Sequence, residues 1–398
     1  MRKSRKGLNV AKSYNWLFRH MLLDESLDNA FLGASEGKRD RNDVKEILSN
    51  LPYHKKRLKR LIENDEVEFP EHRPCEITEA NCHKKREIIK PFYKYEQVIH
   101  HLIVNEIKDI VMHGFYEYSC GSIPGRGCHY GKKHVSRWID SYPKGAKLYV
   151  LKMDIRHFFE NVDHDILKEK LSKVIRDKKF LRLMFKVIDS VSKGLPLGYY
   201  TSQWFANFFL KDLDHYIKEV LEADEFIRYM DDMVVFGTDK DKLHRIREGI
   251  EKYLETEKLE LKGNWQIFPL AHDKDDRSGR PLDFMGFKFY RNNTTLRKSI
   301  LCRARRKAIR ISRKDDATWY DATGMISYMG WFDHTDTYGY FIRNIKPLVI
   351  ISRLKWKVAK HQRKENIRND RLEKSKRKPS FRAFGYRPLY VKDYGIPA

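Results

Sequence analysis

Residues 226–237 read FIRYMDDMVVFG, and no other stretch constrains the fold as tightly. Apolar and aromatic side chains flank two adjacent aspartates, Asp231 and Asp232. An unpaired carboxylate is costly to bury, so two side by side belong where the chain meets solvent or a cation. The pattern predicts a hairpin of strand, two-residue turn and strand, with arms buried in a sheet and the aspartates at its tip. An ordinary solvated turn presents the same pair. A second apolar run, KLYVLKMDI at 147–155, carries the lone carboxylate of Asp154 near its end. If the two strands are neighbours, three carboxylates converge on one rigid edge. Such a set suits hard divalent cations, most naturally Mg²⁺. In phosphoryl transfer, two such ions about 3.5–4 Å apart clamp the attacking and leaving oxygens.

Around these strands the periodicity switches repeatedly. Residues 1 to about 65 are charged and helical in pattern, clearest in DVKEILSNLPYHKKRLKRLIE, and 66–91 suggest short strands with turns. YEQVIHHLIVNEIKDIVM has helical spacing; CGSIPGRGCHYGKK is a basic Gly/Pro loop leading into helical HVSRWI. HDILKEKLSKVI is an amphipathic helix with Asp163 as its cap. GLPLGYYTSQ is a loop running into helical WFANFFLKDLDHYIKEVL, and LDFMGFKFY is a strand or hairpin arm. AHDKDDRSGR is an exposed loop, and beyond residue 300 the pattern is helical and basic to about 375.

The 398 residues suffice for two or three domains, and 41% hydrophobic content excludes a disordered chain. The net charge of +25 points to a polyanion, nucleic acid before anionic membrane. From Thr295 onward there are 26 lysines and arginines against 9 acidic residues, a net +17, so the excess is localised as in a binding module. The cysteines (Cys75, Cys82, Cys120, Cys128, Cys302) are odd in number and lack a C-x-x-C, which reads as reduced thiols in a cytoplasmic protein and argues against zinc. The basic N-terminus lacks a signal-peptide apolar core, and no run is long enough to cross a bilayer.

YMDD in an apolar hairpin, with MDIRHFF upstream, resembles the catalytic pair of motifs of reverse transcriptases. GLPLGYYTSQWFAN resembles that family's loop-to-helix motif, usually L-P-Q-G followed by S-P. REIIKP and GSIPGRGCH resemble the fingers motifs of bacterial, group II intron-type enzymes, and LDFMGFKFY the primer-grip hairpin. The motifs follow in the family's order over roughly residues 84–340.

The resemblance implies an α+β right-hand polymerase: an N-terminal helical region and fingers at 1–146, an antiparallel-sheet palm at 147–294 with a fingers insert at about 165–193, and a basic helical thumb and tail at 295–398. Asp154, Asp231 and Asp232 match the metal-binding carboxylates, with two Mg²⁺ ions and Mn²⁺ as a substitute. Phe159 matches the gate against a 2′-hydroxyl, with Phe158 as the core member of the pair. Arg86 matches the fingers arginine on the incoming triphosphate, with Lys84 and Lys85 beside it. Gly198 would lie beneath the nascent base pair, and Lys262 matches a proposed general acid for pyrophosphate. Arg126 would contact the template backbone, Gln203 and Gly286 the template and primer. MISYMGWFDHTDTYGY resembles the start of the thumb, and RLKWKVAKHQRKENIRNDRLEKSKRK would lie along a duplex or grip a structured RNA.

Two departures bear on setting. Leu197 stands where most relatives have glutamine and Gln203 where most have proline. TSQ resembles the enzymes of diversity-generating retroelements, which copy with errors at adenine; some antiphage defence reverse transcriptases also depart here. No maturase or endonuclease motif follows, which argues against a mobile-intron protein. The implied function is cDNA synthesis on an RNA template, in a bacterial or phage-encoded cytoplasmic enzyme acting on dNTPs, a structured non-coding RNA and a DNA primer, with an accessory protein or homo-oligomer in view and no membrane. The rivals are template-independent or protein-primed synthesis, and RNA binding without polymerisation.

Overall fold

Val150, Leu151 and Met153 in one apolar run and Met233–Phe236 in the other are buried, and the two runs pair at the centre of a five-stranded sheet. The structure is a computed structural model that describes residues 14–78 and 85–376, apart from the side chains of residues 365 and 368–376. Cys82, Lys84 and the tail beyond 376 therefore lie outside the described residues. The strands are β1 (Cys75–Thr78), β2 (Lys85–Ile88), β3 (Ser119–Cys120), β4 (Tyr149–Asp154), β5 (Glu225–Tyr229), β6 (Asp232–Gly237), β7 (Gln266–Pro269), β8 (Leu282–Phe284), β9 (Phe287–Phe289) and β10 (Thr294–Leu296).

The central sheet has the order β3-β5-β6-β4-β7. It is antiparallel except at one edge, where two-residue β3 runs parallel to β5. β1 and β2 form a separate antiparallel hairpin, and β8, β9 and β10 a three-stranded sheet. Helices fill the space around the central sheet because their apolar stripes have nowhere else to bury. Val98–His113 packs against both Asp24–Ser35 and Tyr200–Phe209, and the last of these buries every residue except Tyr200 and Gln203. Asp163 caps His164–Val174 as expected, accepting from the backbone N–H of Asp165 at 3.0 Å and Ile166 at 3.1 Å.

Two helices begin earlier than the sequence pattern indicates. One starts at Cys128, inside the stretch expected as a basic loop, and one at Tyr200, four residues before Trp204. Glycine and the Tyr-Tyr pair are weak helix formers, so local propensity concealed both starts; packing of His134, Val135 and Trp138, and of Thr201 and Ser202, decides them.

The chain divides into two compact units between Arg297 and Lys298. The second is helical: Lys298–Ser312, Trp319–Asp333, Tyr338–Asn344 and Ile351–Lys376. Thr318 and Asp321 form a reciprocal capping box at the start of the second helix. Among the described residues no helix is long and apolar enough to cross a membrane.

Candidate active site

β4 and β6 are in a register that sets Asp154 directly opposite Asp232. Facing residues of an antiparallel pair stand about 4.5–5.5 Å apart at Cα. Tyr229 pairs with Asp232, so the two-residue turn is Met230–Asp231; Asp232 is the first residue of β6 and not part of the turn. The Ile155 N–H donates to the Asp231 carbonyl at 3.3 Å, which ties the turn to the end of β4. Met230 has φ +56°. Tight hairpins favour a left-handed first turn residue, but usually glycine or asparagine fills it; a methionine there costs about 1–2 kcal/mol.

All three carboxylates are half-buried. Burial, then the charges of Asp154 and Asp232, push the Asp231 carboxyl up to about 6. Burial also raises Asp232, against the opposing pull of the Lys152 ammonium. Lys262 Nζ lies 2.5 Å from Asp154 Oδ2, and the Lys262 N–H donates to the Asp154 carbonyl at 2.9 Å. Asp154 Oδ1 is buried and has no hydrogen-bond partner.

The convergence expected from sequence is met by the backbone more than by the side chains. Among the described residues no three His, Cys, Asp or Glu side chains are grouped closely enough to hold a metal ion. The ammonium of Lys262 holds one oxygen of Asp154. The donor chemistry nonetheless fits a hard divalent cation: carboxylate oxygens only, one of them orphaned and buried, with two of the carboxyls raised first by burial and further by neighbouring carboxylates.

The remaining predicted residues fall on several elements. Arg86 is exposed on the β1–β2 hairpin, paired with Ile77. Its neighbour Lys85 is ion-paired with Glu76 at 2.8 Å. Phe158 is buried, as expected for the core member; Phe159 is half-buried, 5.5 Å from it between ring centroids. Leu197 accepts a hydrogen bond at its carbonyl from Ile89 N–H at 2.8 Å, and its side chain is half-buried. Gly198 has φ +110°, and a Cβ there would sit 2.0 Å from the Ile89 carbonyl oxygen. The protein's own backbone therefore requires this glycine. Gln203 is exposed on the first turn of Tyr200–Phe209, where with Lys38, His101 and Tyr200 it lines a cavity of about 270 Å³. Arg126 is half-buried, and its Nη1 donates to the Tyr116 carbonyl at 2.8 Å, so part of the guanidinium braces its own loop. Gly286 follows Met285 in the β8–β9 turn; both have positive φ, as a type I′ hairpin requires.

A further residue of the site is Arg228, an isolated cation in the apolar hairpin arm. It is fully buried and forks onto Asp214, with Nε to Oδ1 and Nη2 to Oδ2 both at 2.6 Å. Asn207 and Ser119 join the same network. The signal was available: an arginine between Ile227 and Tyr229 in a strand needs a buried anion.

The chain belongs to the reverse transcriptase (RNA-dependent DNA polymerase) family, whose sequence profile matches residues 77–288, more than half of it. It is similar to the group II intron-encoded protein LtrA of Lactococcus lactis subsp. cremoris, 24% identical over 227 residues covering 53% of this chain and 37% of LtrA. It is also similar to protein YkfC of Escherichia coli K12, 22% identical over 134 residues covering 31% of this chain and 35% of YkfC. The chain thus aligns with little more than a third of these relatives' lengths. Among solved structures, a telomerase from Candida tropicalis in complex with a TWJ fragment of telomeric RNA matches with a TM-score of 0.46 and 11% identity, over 77% of this chain and 55% of that one. The mixed helix-and-sheet architecture expected for a bacterial, group II-like reverse transcriptase is the one observed.

Proposed function

We propose that this protein is an RNA-directed DNA polymerase that copies an RNA template into cDNA. The observation that carries the reading is the register of Asp154 against Asp232, with Asp231 in the adjoining turn, on a strand pair within the family's matched region. Asp154, Asp231 and Asp232 would hold the divalent cations, two Mg²⁺ with Mn²⁺ as substitute. When bound, these would activate the primer 3′-hydroxyl and neutralise the triphosphate. Every other role falls to this chain's own residues. Arg86, a forked cation on an exposed hairpin, suits the triphosphate oxygens. Lys262 carries an ammonium at the carboxylate edge and can give a proton to the departing pyrophosphate. Phe159 supplies a steric gate that selects deoxynucleotides. Leu197 and Gly198 line the loop that meets the nascent pair. Gln203 and Arg126 face the template, and the β8–β9 turn at Gly286 supports the primer.

The helical unit from Lys298 would act as the thumb on the template–primer duplex. Leu197 and Gln203 in the family's loop-to-helix motif favour a diversity-generating retroelement, with antiphage defence second. The template would be a structured non-coding RNA, in a bacterial or phage-encoded cytoplasmic system in which an accessory protein or a second copy takes part. Primer extension on a defined RNA with labelled dNTPs tests the reading. Template-length DNA is expected. Extension unaffected by omitting the template would replace it with template-independent synthesis, and RNA binding without incorporation would replace it with a binding function.

A further inference from the structure

We propose that Arg228 is a positioning residue: it clamps the Met230–Asp231 turn in its left-handed conformation, so the geometry of the carboxylate edge depends on a buried ion pair that touches no substrate. What the edge is used for rests on the polymerase reading; the clamp rests on contacts within this chain.

The guanidinium has three nitrogens and spends only two on Asp214. The third, Nη1, donates to the Met230 carbonyl at 2.8 Å and to Asn207 Oδ1 at 3.2 Å. Asn207 Nδ2 in turn donates to the Gly121 carbonyl at 3.1 Å and lies 3.5 Å from Met230 Sδ. The Met230 N–H donates to the Cys120 carbonyl at 3.0 Å. Met230 is therefore held at its amide, its carbonyl and its sulfur, and it is the residue with φ +56° immediately before Asp231. A non-glycine residue stays in that region only when its surroundings over-determine it.

The ion pair is closed on itself. Arg228 and Asp214 are each 1% exposed by side chain, and Ser119 Oγ donates to Asp214 Oδ2 at 2.6 Å. One charge cancels the other, so the pair adds no net charge to the site. Its influence on Asp231 is geometric, in the way that outer partners orient metal-binding side chains. A buried ion pair alone is weak grounds for any role; here the third nitrogen's bond to the turn supplies the reason.

The test uses full-length, metal-free protein and reads Mn²⁺ binding by electron paramagnetic resonance, alongside the melting temperature. Arg228→Lys keeps the charge balance but cannot fork to both Asp214 and the turn. The folded variant should bind Mn²⁺ about 10-fold more weakly or worse. Adding Met230→Gly should recover much of that loss, because glycine adopts the turn conformation without a clamp. Asn207→Ala, which leaves the ion pair whole, should show a smaller loss and serves if Arg228→Lys fails to fold. Unchanged Mn²⁺ affinity with a lowered melting temperature would make the pair merely structural and overturn the proposal. So would a loss that Met230→Gly leaves untouched. Wild-type protein that binds Mn²⁺ yet never extends a primer would contradict the polymerase reading and leave the clamp standing.

Discussion

Asp231 is the residue whose charge state the fold perturbs most at the site. Its carboxyl titrates at about 6 in the folded protein, against an ordinary value of 3.8. The folded state therefore holds a proton that the unfolded chain has already lost between those values, and stability falls as pH rises through the window. Below about pH 4 both states are protonated and the penalty vanishes; above about pH 6 it is complete. Asp231→Asn removes it. Without metal, that variant should gain on the order of 1–2 kcal/mol over wild type at pH 8, after allowance for solvent screening of a half-exposed group. The gain should shrink toward zero near pH 4. Melting curves in chelator at the two ends check this, and a pH-independent difference would mean the carboxyl is not perturbed. Leu197 sets a second expectation. Glutamine at that position could add a hydrogen bond worth roughly 0.5–1.5 kcal/mol, so Leu197→Gln should lower misincorporation severalfold, and at most about tenfold. Sequencing cDNA copied from one RNA by both proteins reads it; identical error spectra would detach Leu197 from fidelity. The pairing of the two apolar runs was legible in the sequence; the aspartate pair alone reads equally as a solvated turn, and only the neighbouring run ending in Asp154 and the ordered motifs single it out. Arg228 carried a signal, a cation inside an apolar strand arm, but its partner Asp214 lies on another element and only the fold identifies the pairing.

At the scale of elements, the strand pattern was the readable part. Apolar runs at 147–155 and 226–237 became adjacent central strands, and LDFMGFKFY resolved into a hairpin with a third strand beside it. Helix starts at Cys128 and Tyr200 were less legible, since burial overrides their neighbours' propensity there. That shift has a consequence: Gln203 belongs to a helical turn, and the loop before it is braced at Gly198 by the backbone of Ile89. Gly198→Ala combines positive φ with a clash against a carbonyl oxygen, so it should destabilise by about 1–3 kcal/mol or displace the loop. Chemical denaturation of the variant measures the cost. A change of only a few tenths would show that the loop and the end of β2 are not locked together.

For the whole molecule, charge and length were legible, and the division near residue 297 follows the rise in basic content. The use of individual cations was not. In the helix Ile351–Lys376, Lys357 is bonded to Asp316 and to the Ala317 carbonyl, so it is committed inside its own unit. Lys355, Lys360, Arg363 and Lys364 are exposed, with Lys360 over the Trp356 ring. Changing these four to glutamine should weaken nucleic-acid binding and reduce the salt slope by up to about one for each phosphate that is no longer neutralised. Lys357→Gln should lower stability more than the slope. Binding titrations at several salt concentrations separate the two, and an unchanged slope in the fourfold variant would make this helix a bystander. In the proposed function the carboxylate edge performs templated DNA synthesis. Its most direct test is Mg²⁺-dependent primer extension on an RNA template by wild type and by Asp231→Ala/Asp232→Ala, with RNA affinity measured in parallel. Wild type should incorporate dNTPs and the variant none, with equal RNA binding; full extension by the variant would mean that the carboxylate edge does not carry the reaction.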